Sequence, residues 1–231
     1  MKNIKQYKDF EKERTRILEL LMKYRLKKFN INSDNSVSFS SNVYLNNLGL
    51  SEIPFKIRSV KGDLYLQYNK LSNLKNLPNI VGGTLNVSDN KLTTLEGCPE
   101  QVGEAFVISF NNLQKLDYFP KKIGGGINMV HNRIETVDEN ILPEVVYGFF
   151  TFDSNPLKSL RNFPRIVENA LGGIDDTDLP EELIDIWITE TDGHENSKDI
   201  LMDISDLGVF RKDHTINNTA LKELINTYKK Y

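Results

Sequence analysis

Few residues in this chain have the types and spacing that catalysis or metal binding requires. It holds three histidines, His131, His194 and His214, and one cysteine, Cys98. A zinc site needs several His, Cys or carboxylate ligands at characteristic spacings, and no histidine here stands in such a spacing with another or with the cysteine. The run "DDTD" (175–178) could offer oxygen ligands to calcium, but it lacks the Gly-containing loop and closing Glu of an EF-hand. With Asp178 three residues before Glu181, it reads instead as a capping box at a helix start. "VGGT" (81–84) and "IGGG" (123–126) are Gly-rich, as phosphate loops are, yet each turns into a strand-like segment rather than a helix. The residues therefore predict no metal, no cofactor and no catalytic group. What remains is binding chemistry: a group of tyrosines, phenylalanines and histidine at a regular interval.

That interval comes from a repeat. Shifted by 21 residues, the chain aligns "LYLQYNKLSNL" (64–74), "LNVSDNKLTTL" (85–95), "FVISFNNLQKL" (106–116) and "INMVHNRIETV" (127–137), and "FTFDSNPLKSL" (150–160) follows after 23. Asn69, Asn90, Asn111, Asn132 and Asn155 share one column, and Pro78, Pro99, Pro120, Pro143 and Pro164 another. "VYLNNLGLSEI" (43–53) is an earlier unit with Leu48 in the Asn column, and a worn unit begins at Leu171 with Asp176 there. The period lies in the range of leucine-rich repeats. In each unit two apolar residues of an L-x-L strand point inward. The Asn then turns the chain out, its amide able to satisfy the turn's backbone groups. Pro fixes an extended return path. So few residues separate Asn from Pro that the convex side is expected to hold extended or 3₁₀ segments. Cys98 shares a column with Leu77, Phe119, Leu142 and Phe163, the place of a small hydrophobe.

The expected fold is an α/β leucine-rich-repeat solenoid with a parallel β-sheet on its concave face. Its ends expose apolar surface and need covering. Residues 1–36 are expected to form an N-terminal helix-and-hairpin cap, with Phe10, Ile17, Leu21 and Tyr24 near one helix face and the hairpin's second strand opening the first unit. Residues 37–176 form the solenoid. Residues 177–231 form an acidic helical region, in which Ile186, Trp187, Leu201 and Ile204 face the last coil.

The quoted units also resemble a known family. "VGGTLNVSDNKLTTLEGCPEQVGEAFVIS" (81–109) follows the pattern V-x-G-x-F-x-C-S-x-N-x-L-x-S-L-x-G-C-P of phage- and bacterium-encoded leucine-rich repeat proteins, similar to the LPX-type bacterial repeats. "FNINSDNSVSFSSNVYL" (29–45) looks like the family's opening hairpin, and the resemblance spans roughly residues 25–170. Strand positions often filled by Cys in the family are Val87 and Met129 here, so no role for those thiols carries over. The resemblance implies a binding scaffold, with a phage origin and a host protein as target. Some secreted effectors with similar repeats carry a ubiquitin-ligase domain with a catalytic Cys. No Cys lies outside the repeat here.

Three outward columns cross the concave sheet: Tyr44, Tyr65, Asn86, Val107, Asn128, Thr151; Asn46, Gln67, Ser88, Ser109, Val130, Asp153; and Asn47, Tyr68, Asp89, Phe110, His131, Ser154. The partner-binding candidates are Tyr44, Tyr65, Gln67, Tyr68, Asp89, Val107, Phe110, Val130, His131 and Asp153. Clustered exposed aromatics are the signature of a protein-binding hot spot. They also suit strands without any partner, through cross-strand packing. The columns lack Lys and Arg, which argues against a nucleic-acid groove.

Charge divides the chain further. Residues 1–30 hold ten Lys and Arg against four Asp and Glu, and residues 168–206 thirteen Asp and Glu against one Lys. Such blocks are ordinarily solvated faces. Two alternatives remain open: the acidic segment meets a basic partner as a mimic of nucleic acid, or the helical end is an enzyme to which the repeats deliver substrate. The single Cys, the lack of a membrane-length apolar run and the lack of a signal-like start predict a cytoplasmic protein, in the host cytoplasm if phage-encoded.

Overall fold

Hydrogen bonding between units, rather than within them, builds this molecule. The structure is a computed structural model that describes residues 2–169, 171–172, 177–184 and 197–228. Six two-residue strands stack in parallel on the concave side: β3 (Val43–Tyr44), β5 (Leu64–Tyr65), β7 (Leu85–Asn86), β9 (Phe106–Val107), β11 (Ile127–Asn128) and β13 (Phe150–Thr151). Their register is strict: Val43, Leu64, Leu85, Phe106, Ile127 and Phe150 lie side by side and buried. A parallel bridge then sets Leu171 beside Phe150, where the worn unit was expected to begin.

A second ladder runs alongside that the repeat pattern did not announce. It contains β1 (Phe29–Ile31), β2 (Val37–Phe39), β4 (Ile57–Val60), β6 (Ile80–Val81), β8 (Gln101–Val102) and β10 (Lys122–Ile123), while β12 (Val145–Val146) and β14 (Ile166–Val167) pair separately. The hairpin β1–β2 is antiparallel, as the sequence predicts. Its second strand, however, enters this second ladder, and β3 opens the concave sheet instead. Between Asn and Pro each unit mixes short turns and bends with irregular stretches, of which residues 133–138 are the longest; the described residues contain no 3₁₀ helix.

The chain crosses from one ladder to the other through glycine, for a steric reason. A Cβ on Gly82 would sit 2.2 Å from the Lys61 carbonyl oxygen, on Gly103 2.0 Å from that of Gly82, and on Gly124 2.1 Å from that of Gly103. Only glycine lets the units approach to strand-pairing distance at this corner. The ladder breaks between β10 and β12, where the unit lengthens from 21 to 23 residues.

The asparagine column is a third ladder, made of side chains. Asn111 is 7% exposed. Its Nδ2 donates to the Val87 and Ile108 carbonyls at 3.1 Å, and its Oδ1 accepts from Leu92 N at 3.0 Å. Asn69, Asn90, Asn132 and Asn155 do the same in their units. Each amide thus satisfies backbone groups of its own turn and of the unit before it, groups that would otherwise be buried without partners.

Helices meet both ends. In α1 (Lys2–Lys23), Ile17 and Leu21 are buried while Phe10 and Tyr24 are half-buried. Asn35 Nδ2 ties the hairpin to the Phe10 carbonyl at 3.0 Å. Residues 181–184 are helical, and the amides of Leu183 and Ile184 both bond to the Pro180 carbonyl, so the turn starts there rather than at Asp178. Helix α2 (Ser197–Asp206) packs on β14, and α3 (Asn218–Tyr228) packs on α2. Leu201 and Ile204 are buried in the same apolar core as the last units, as predicted. Ile186 and Trp187 lie outside the described residues, as do Asp175, Asp176 and His194.

Candidate concave-face interaction site

The first column of candidates is fixed by strand register. Tyr44, Tyr65, Asn86, Val107, Asn128 and Thr151 stand opposite one another along the concave sheet. The rings of Tyr44 and Tyr65 stack at 5.2 Å with 10° between planes. Tyr65 donates its hydroxyl proton to Asp63 at 3.2 Å. Burial, then the neighbouring Asp63 carboxylate, push its phenol above the usual value. Val107 is half-buried.

The second column is less available than the sequence suggests. Ser88 and Ser109 are buried, as befits small side chains on the floor of a curved sheet. Gln67, Val130 and Asp153 are half-buried. Gln67 Oε1 is shielded from solvent yet accepts no hydrogen bond, as is Thr151 Oγ1 in the first column. Both are polar atoms that a docked molecule could satisfy.

The third column carries the feature that sequence reasoning missed. Asn47, Tyr68, Asp89, Phe110, His131 and Ser154 all have left-handed backbones, with φ between 52° and 60°. The conformation lets each residue leave the strand and start the turn that the next residue, asparagine in all but the first unit, completes. Asn and Asp tolerate it; bulky aromatics do so poorly. Yet Tyr68 is 59% exposed and Phe110 49%, so neither is there to fill the core. Phe110 stacks on His131 at 4.3 Å. The signal was present in the column itself, since Asn47 and Asp89 are the types that left-handed positions favour.

Two rims frame this face. On one, Asp63 accepts from Thr84 N at 2.8 Å and from Asn42 Nδ2 at 2.9 Å, so its carboxylate is held by its neighbours. On the other, the residue after a buried asparagine is exposed at Lys70, Lys91 and Arg133 and half-buried at Asn112 and Pro156.

Catalytic chemistry has little to work with among the described residues. No group of three or more His, Cys, Asp or Glu could hold a metal ion there. Cys98 is partly exposed rather than buried, but its thiol lies against the core and burial pushes it well above the ordinary value, away from the thiolate a nucleophile needs. No described helix is long and apolar enough to cross a membrane.

Comparison with known proteins finds no matching family and no matching curated protein. Among solved structures, the chain is similar to the leucine-rich repeat domain of a Shigella effector, at 21% identity and a TM-score of 0.48, over 69% of this chain and 80% of that one. The architecture itself, parallel two-residue strands stacked at one per repeat around a buried asparagine column, is that of a leucine-rich-repeat solenoid.

Proposed function

We propose that this protein is a non-enzymatic interaction scaffold that holds a protein partner on its concave face. The observation that carries the reading is the placement of Tyr68 and Phe110 at exposed left-handed positions, where the backbone favours Asn, Asp, His or Gly, with the exposed His131 stacked on Phe110. Aromatic groups kept in a conformation of local cost are expected where they contact something. Tyr44, Tyr65, Val107 and Val130 extend that surface, and Gln67, Asp89 and Asp153 supply polar contacts around it. Its resemblance to phage- and bacterium-encoded repeat proteins supports a host protein as the target, blocked or redirected by capture in the cytoplasm.

The test is affinity capture from lysate with wild type beside a Tyr68→Asn, Phe110→Asn variant. Asn suits the left-handed backbone, so the variant keeps the fold, which thermal melting verifies. A protein held by wild type and lost by the variant supports the reading. A protein held equally by both moves the site off this face.

A further inference from the structure

The cations of this molecule are not treated alike. On the convex side, several basic side chains pair with carboxylates of a neighbouring unit, Lys75 with Glu96 at 3.3 Å, Lys158 with Glu135 at 2.6 Å and Arg161 with Glu139 at 3.0 Å, though Lys115 does not pair among the described residues. Along the concave rim, Lys70, Lys91 and Arg133 form no ion pair with any described residue. Their backbones are locked in line, the amides of Lys70, Lys91 and Arg133 bonding to the carbonyls of Leu50, Leu71 and Leu113 in the preceding units. Each stands two residues beyond the left-handed row of Tyr68, Asp89 and His131. A row of unpaired cations therefore borders a row of exposed aromatics.

Resting on the proposed concave-face reading, we infer that the partner element is an amphipathic helix lying along the solenoid axis, with carboxylates on one flank facing Lys70, Lys91 and Arg133. Spacing supports the helix. Successive units stand about 4.8 Å apart, as paired strands do, and a helix advances about 5.4 Å per turn. One helical turn thus meets one unit, drifting only about 2 Å over four. Its apolar stripe covers Tyr68, Phe110 and His131, in the manner of helix-in-groove recognition. Its acidic flank recurs at i, i+4 and i+11, opposite the first, second and fourth of these units. A nucleic acid would also be drawn to three free cations. But phosphates following those cations would run beside Asp89 in the bordering left-handed row, whereas a helix can place a neutral or basic residue there.

The experiment uses the whole chain and a displayed library of helical peptides of about 20 residues, long enough to span the units. Enriched peptides carry Glu or Asp on one flank of an apolar stripe. They lose at least about tenfold in affinity on a Lys70→Glu, Lys91→Glu, Arg133→Glu variant, and reversing the peptide's acids to Lys restores binding to that variant. Enrichment without acidic bias, no enrichment at all, or no loss on charge reversal overturns the inference. So does tight, steeply salt-dependent binding of a fluorescent dT20 oligonucleotide that the same variant abolishes. The Tyr68→Asn, Phe110→Asn variant separates the two readings. Peptides that it loses but the charge variant keeps leave the concave face standing without the acidic helix. Peptides that it keeps but the charge variant loses overturn the aromatic face and retain the cation row.

Discussion

Two rows of left-handed residues run along the repeats, one on each side of the coil. The convex row is Asn76, Gly97, Tyr118, Asn140 and Asn162. The concave row is Asn47, Tyr68, Asp89, Phe110, His131 and Ser154. On the convex side the residue types largely suit the backbone and add to it. Asn76 and Asn162 donate to the Ile53 and Val137 carbonyls, at 3.2 and 2.7 Å. At Gly97 a Cβ would lie 2.6 Å from the Leu74 backbone. Tyr118 is an exception that nothing in the structure explains. On the concave side, two of six positions, Tyr68 and Phe110, carry rings that the conformation disfavours, and His131 adds a third ring at a position that suits it. The same local problem is met in favour of stability on one face and in favour of exposed aromatic surface on the other.

The sharpest way to break this contrast is to damage what both rows depend on. Asn111→Ala strips partners from several buried backbone groups at once and is expected to cost at least about 3 kcal/mol in urea denaturation. Gly103→Ala, whose Cβ meets the Gly82 carbonyl, should cost about 2 kcal/mol in the same measurement. Next come exchanges between the rows, which should have opposite signs. Asn162→Tyr loses a hydrogen bond and acquires a strained ring, a loss of about 2 kcal/mol. Tyr68→Asn relieves strain and should gain about 1 kcal/mol while weakening partner capture. Equal signs for the two would end the comparison. A smaller effect is expected at Cys98, next to Gly97. With its thiol held protonated by burial, iodoacetamide at pH 8 should label it several-fold more slowly in the native protein than in urea, read by mass spectrometry.

The smallest concerns Asp34, beside the left-handed Asn35 of the hairpin. The Ser36 hydroxyl and amide hold the Asp34 carboxyl below the usual range, so its contribution is complete above the unfolded value, about 3.9, and fades as pH falls through the lower folded one. The stability difference between wild type and Asp34→Asn should therefore be small at pH 7 and vanish in acid melts.

What the sequence showed and hid follows from how each feature is encoded. The asparagine column was readable because one residue type does one job in five copies: the short amide of Asn69 or Asn155 donates to two carbonyls and accepts from a backbone amide at once. The concave strands were readable from pairs such as Leu85 and Val87. The second ladder was not, because a strand of two residues such as Ile80–Val81 has no periodicity to detect. Its trace lies in Gly82, Gly103 and Gly124, which look like loop glycines until their contact with the preceding carbonyl is known. The concave candidates were identified as residues, but their left-handed backbone was masked by the rings that occupy it. The unpaired rim of Lys70, Lys91 and Arg133 was passed over because no cation falls in the three columns themselves, and pairing is a property of space rather than of order. The charged block of residues 168–206 falls partly outside the described residues, and its partner remains an expectation from the sequence.

The lengthened fifth unit gives the rod a seam. Up to β10, neighbouring coils are held by two strand ladders and the asparagine column; across the break before β12, the second ladder contributes nothing. In a stack whose stability is the sum of contacts between neighbours, the weakest joint decides where the whole divides. Under heat or load the chain should part there first, into an amino-terminal segment of regular coils and a carboxy-terminal segment that carries its own helices.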